Sequence, residues 1–148
     1  MLVVASSLVS VACRAPGEPP ARPAPGEYKD LIRRELDAAG SALQTSSLVL
    51  SYLDQDRVPG PYARVVLRQA ANDLRKVSQD LAEVTPPPFA ARAQRTFLAI
   101  CLRDRERLEH VATGHDPPSI RERDRTQVLV AADGAVVENR LPAQLDPG

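Results

Sequence analysis

Two cysteines, two histidines and one misplaced aspartate are the side chains in these 148 residues whose types and positions bear on chemistry. Cys13 closes an uncharged run of Leu, Val, Ala and Ser (residues 2–12) and is followed by a proline-rich stretch. Cys101 lies inside FLAICL (97–102) with no His within two helical turns, so it reads as a small buried hydrophobe and not as a nucleophile. His110 falls near the end of a helical segment, where an imidazole suits the negative end of the helix dipole. His115 follows in a GHDPP loop beside Asp116; adjacent loop residues make at most a weak dyad. Asp104 falls on an apolar stripe, where a carboxylate has either a raised pKa and a role, or a place at the stripe's edge beside an arginine. The edge position is the expectation. RDRER (103–107) reads as a solvated face with Arg103 and Arg107 offset by Asp104 and Glu106.

Recognised reaction motifs are missing. There is no G-x-S-x-G elbow, S-x-x-K, H-E-x-x-H or phosphate-cradling glycine loop, and no Glu-x-x-His pair for a di-iron bundle. The only methionine is Met1, so a His/Met haem site beyond the leader is ruled out. The expectation is a non-enzyme with no metal and no cofactor. Nucleic acid is not expected as a partner either, since 19 Lys and Arg balance 19 Asp and Glu.

The run ending at Cys13 is about half the length of roughly 20 apolar residues that a membrane span needs, and fits the hydrophobic segment of an export signal. Ala12 before Cys13, with Ser and Val behind it, resembles the lipobox of bacterial lipoproteins. Ser10 stands where that class usually has Leu, and no Lys or Arg precedes Cys13. The resemblance implies a diacylglycerol on the Cys13 thiol, cleavage on its amino side, and an acylated protein on the extracytoplasmic face of the cell membrane. The alternatives are a cleaved signal without lipid, or an apolar tail in which Cys13 is incidental and free to pair with Cys101. An Arg-, Ala- and Pro-rich composition with only two lysines, Lys29 and Lys76, is of the kind that GC-rich actinobacterial genomes encode. Pro16, Pro19, Pro20, Pro23 and Pro25 make residues 13–26 a semi-rigid tether of about 3.1 Å per residue.

Prolines also mark the elements that must present whatever surface the chain uses. All fourteen fall into clusters at 16–25, 59–61, 86–88, 117–118, and 142 with 147. A proline costs about 3 kcal/mol inside a helix, so the intervals between clusters are the helices. Residues 27–56 repeat Tyr28, Ile32, Leu36, Ala39, Leu43, Ser46, Leu50 and Leu53 on one stripe, with Gly40 and Ser46–Ser47 as places for a bend. Residues 61–84 line up Ala63, Val66, Ala70, Leu74, Val77, Leu81 and Val84. Residues 89–113 carry Ala93, Phe97, Ile100 or Cys101, Leu108 and Val111, and Gly114 suits a C-cap. The fourth interval reads two ways. Ser119 and Glu122 form a capping box for a helix ending near Asp133 with Gly134 as its stop, or Asp133–Gly134 turns a β-hairpin. The helix is favoured, because a lone hairpin on a bundle has little to pair with.

These intervals predict an all-α domain over 27–141, an up-down antiparallel bundle of three long helices plus the uncertain fourth segment. It is preceded by a signal peptide (1–12) and tether, and followed by a disordered tail (142–148). The functional expectation is a lipid-anchored binding or structural component of the envelope, whose partners are the membrane and another envelope protein. The alternative is a carrier holding a small apolar ligand inside the bundle around Phe97 and Cys101.

Overall fold

A computed structural model describes residues 23–114 and 120–145; Cys13, the leader, most of the tether, His115 and Asp116 lie outside them. The described residues form helices α1 (Pro25–Asp54), α2 (Gly60–Ala82), α3 (Ala91–Thr113), α4 (Ile120–Asn139) and α5 (Leu141–Leu145), with no strand among them. α2 lies against both α1 and α3, α4 packs chiefly on α1, and α3 and α4 touch at far fewer points. Phe97, Ile32, Leu43, Leu50, Leu67, Leu74, Leu81 and Leu108 fill the core between them.

Each boundary has a local cause. Pro25 opens α1 with its fixed φ, and the Glu27 carboxylate accepts the Ala24 N–H at 3.0 Å. At the other end Arg57 N–H donates to Tyr52 O (2.8 Å) and Asp56 N–H to Leu53 O (3.2 Å). This is the paired closure of a Schellman motif, and it forces Asp56 to φ 53°, the left-handed region that favours glycine. Asp56→Gly is therefore expected to raise stability by about 0.5–1 kcal/mol, because removing the Cβ clash outweighs the added chain entropy. Thermal unfolding of the pair checks this, and an unchanged or lower midpoint would refute it. Neither Gly40 nor Ser46–Ser47 interrupts α1; Ser46 Oγ donates to Ala42 O at 2.7 Å and is satisfied within the helix.

Three helix ends meet at a buried glutamine. Gln94, on the first turn of α3, donates through Nε2 to Leu81 O (2.9 Å) and Val84 O (3.1 Å) at the end of α2. Its Oε1 accepts the Tyr28 hydroxyl of α1 at 3.0 Å. Burial pushes the Tyr28 phenol up to about 12. Thus Gln94 satisfies carbonyls that the TPPP turn leaves open.

Two expectations need correction beyond Asp133. Gly134 does not end the fourth helix, which runs on to Asn139 and excludes the hairpin. Val130, Gly134, Val137 and Leu141 recur at helical spacing and all are buried. That burial outweighs the roughly 1 kcal/mol that a mid-helix glycine costs. A Cβ at Gly134 would meet Leu43 Cβ at 3.4 Å, so this position lies directly against α1 and leaves room for no more than a methyl group. The expected disordered tail, too, is helical as far as Leu145, because Leu141 and Leu145 are both buried one turn apart.

Candidate functional site

Cys13, the expected lipidation site, lies outside the described residues. The side chains singled out inside the domain do not converge on one cleft. Cys101 is fully buried, and its thiol is pushed up to about 12, first by burial and then by the negative charges of Asp104 and Glu35. At that value it is not a nucleophile. His110 is exposed, and its Nε2 lies 2.9 Å from Glu122 Oε1 on α4. Among the described residues, no group of three or more His, Cys, Asp or Glu side chains is placed to hold a metal ion. No described helix is long and apolar enough to cross a membrane.

Asp104 departs from its expected place at the stripe's edge and is 0% exposed. Its Oδ1 accepts Arg107 Nη1 at 2.5 Å from its own turn, while Oδ2 has no donor. Arg107 Nη1 also reaches Asp133 Oδ2 of α4 (3.0 Å), which accepts Arg103 Nη2 at 2.8 Å. The RDRER run is therefore not simply a solvated face, since two of its arginines tie α3 to α4. Burial raises the Asp104 carboxyl to about 6; Arg107 and Arg103 oppose the rise and Asp133 adds to it. Beyond this quartet toward the His110–Glu122 pair, an open groove of about 420 Å³ runs between the helices. The α3–α4 seam is thus built from charges, where α1, α2 and α3 meet through apolar side chains.

The opposite face of α4 is different in kind. From Ala38 to Leu53, α1 carries no charged residue, and from Thr126 to Val137, α4 carries only Asp133, which points into the seam. This is unusual in a chain that is 26% charged. Between the two helices runs a groove of about 410 Å³ lined by Ser47, Leu48, Ser51, Gln127, Ala131 and Ala135, with Glu138 as its one charged lining residue. Leu48 (52% exposed), Tyr52 (37%) and Val128 (65%) stand out from it as uncovered apolar side chains. Two larger grooves have charged rims. One, of about 790 Å³ between α1 and α2, is edged by Arg34, Asp73, Lys76 and Asp80. The other, of about 580 Å³ beside α5, is edged by Lys29, Arg33, Asp37 and Glu138.

The neutral band was not legible in the sequence as a site, because it is defined by a lack of reactive and charged groups. The charge-free stretch of α1 was its available signal. Comparison with known proteins finds no family model, no curated protein and no solved structure that matches this chain.

Proposed function

We propose that this protein is a lipid-anchored helical bundle on the extracytoplasmic face of the cell membrane, which binds another envelope protein through the α1–α4 face. Cys13 carries the anchor, residues 14–26 give reach, and the bundle presents the surface. The bundle is read as up-down and antiparallel. Gly40 lies beside Glu138, Leu43 beside Gly134 and Asp54 beside Arg123, so positions ascending along α1 meet positions descending along α4.

The neutral band carries the binding proposal. An interface core excludes charge, because a buried unpaired charge costs several kcal/mol, and it favours aromatic and apolar anchors. Leu48, Tyr52 and Val128 are such anchors, on a face whose groove has Glu138 as its single charged lining residue. The carrier reading has less support. Phe97 and Cys101 are fully buried by their neighbours and line none of the four grooves described.

A photoreactive residue at Leu48 or Val128, compared with one at the exposed Arg68 of α2, tests the surface in the producing cell. The expected result is a discrete protein adduct from the first two positions and none from Arg68. Equal labelling at all three, or none at any, would overturn the assignment. A lipid adduct instead would favour the carrier.

A further inference from the structure

The α3–α4 seam is assembled from groups that respond to protons, and nothing in the proposed binding role uses it. Asp104 is completely buried with one oxygen left without a donor, and its partner Arg107, with Arg103, lines a groove open to water. The charges acting on it come from Arg103 and Arg107 on its own helix and Asp133 on α4. Glu35 on α1 acts on Cys101, one turn away from Asp104. The buried face of α2 carries no ionisable group, and α5 offers only Leu141 and Leu145. Direct packing between α3 and α4 is sparse, whereas α4 is held broadly by α1. The seam can therefore admit water without dismantling the rest of the core.

We propose that the α3–α4 seam is a proton-dependent joint, closed while Asp104 is protonated and loosened from α3 when Asp104 is ionised. A protonated Asp104 is neutral and tolerates burial, leaving Arg103 and Arg107 to bridge to Asp133. An ionised Asp104 has one hydrogen-bonded oxygen and one without a partner, and the nearest source of donors is water entering from the groove. The direction follows from linkage. A carboxyl raised from 3.8 to about 6 in the closed seam holds its proton more tightly there than in water. The closed form gains over the open one as pH falls below about 6, and that gain is gone above it. The raised value corresponds to about a hundredfold change in the closed-to-open ratio between the two limits.

Amide hydrogen exchange on the intact protein, corrected for intrinsic rates, measures this at pH 5 and pH 8. In the wild type, α4 amides should be about tenfold more protected at pH 5, with α1 and α2 amides unchanged. Asp104→Asn, neutral at every pH, should remove the difference and leave α4 protected at both values. An undiminished pH dependence in Asp104→Asn, no dependence in the wild type, or an equal change in α1 and α2 would each overturn the joint. Should the variant fail to fold, carboxyl-carbon NMR titration of wild-type Asp104 decides. A midpoint near 6 tracked by α4 amide shifts supports the joint, and any other result overturns it.

Discussion

Gln94→Leu is expected to lower the unfolding free energy by about 2–4 kcal/mol, a large share of the total for a domain of this size. The substitution keeps the volume and removes three hydrogen bonds at once, leaving the Tyr28 hydroxyl and the Leu81 and Val84 carbonyls without their partner. Each polar group buried without a partner costs roughly 1–3 kcal/mol, and the added apolar contact of Leu offsets part of the sum. Tyr28→Phe should cost less, about 1 kcal/mol, because Gln94 would keep both of its donated bonds. Urea unfolding of the two variants tests the ranking through a fall in midpoint at constant slope. If Gln94→Leu costs no more than Tyr28→Phe, the glutamine does not hold the three helix ends. The Tyr28 phenol adds a signature in alkali. Its value is 10.0 in the ordinary state and about 12 when folded, so the unfolded chain ionises first. The stability that a neutral buried phenol supplies is complete below pH 10 and lost as pH rises toward 12.

The three long helices were legible because proline and apolar spacing agreed. Ile32, Leu43, Leu74 and Phe97 are buried where the stripes put them, the cluster at 59–61 opens α2, and the cluster at 86–88 falls between α2 and α3. The fourth was ambiguous for a physical reason. Two Val-rich runs around Asp–Gly satisfy the local rules for a hairpin as well as those for a helix, and only the neighbouring surface of α1 at Leu43 decides between them. Leu141 and Leu145 make too short a segment for periodicity to show. Gln94 was invisible because its partners are backbone carbonyls whose direction depends on how α2 ends. Asp104 was visible as an intruder on the stripe, but its depth was not, since that depends on how closely α4 covers it.

The candidate surface was less legible than the fold. A reactive centre announces itself by residue type, whereas a binding face is a shared property of two helices distant in sequence. Ala38–Leu53 and Thr126–Val137 acquire meaning together only once α4 lies along α1. The two faces of α4 then divide the work. One is neutral and uncovered, with Val128 outward, while the other holds Asp133 against Arg103 and Arg107. Loosening the charged side would change how firmly the neutral side is presented, so the proposed joint and docking face share one helix.

Cys13→Ser is expected to move the protein from the membrane fraction to the soluble or uncleaved precursor pool altogether. The magnitude follows from what would remain. Each buried acyl methylene contributes about 0.8 kcal/mol to membrane binding, one chain holds only marginally and several hold stably. Without the thiol no acyl chain can be attached. The residual apolar segment, about 11 residues, is roughly half of what a spanning helix requires. The described helices offer no substitute, as none of them can cross a bilayer. Serine is nearly isosteric with cysteine, so the bundle's unfolding midpoint should be unchanged and the loss should be one of location alone. Mass spectrometry of the wild type supplies the chemical counterpart. An N-terminal peptide beginning at Cys13 should carry a diacylglycerol and further acyl mass, and globomycin should leave residues 1–12 attached. A wild-type Cys13 that is unmodified, or a Cys13→Ser protein that stays with the membrane, would remove the anchor from this reading. The neutral α1–α4 face would then have to find its partner without being held at a surface.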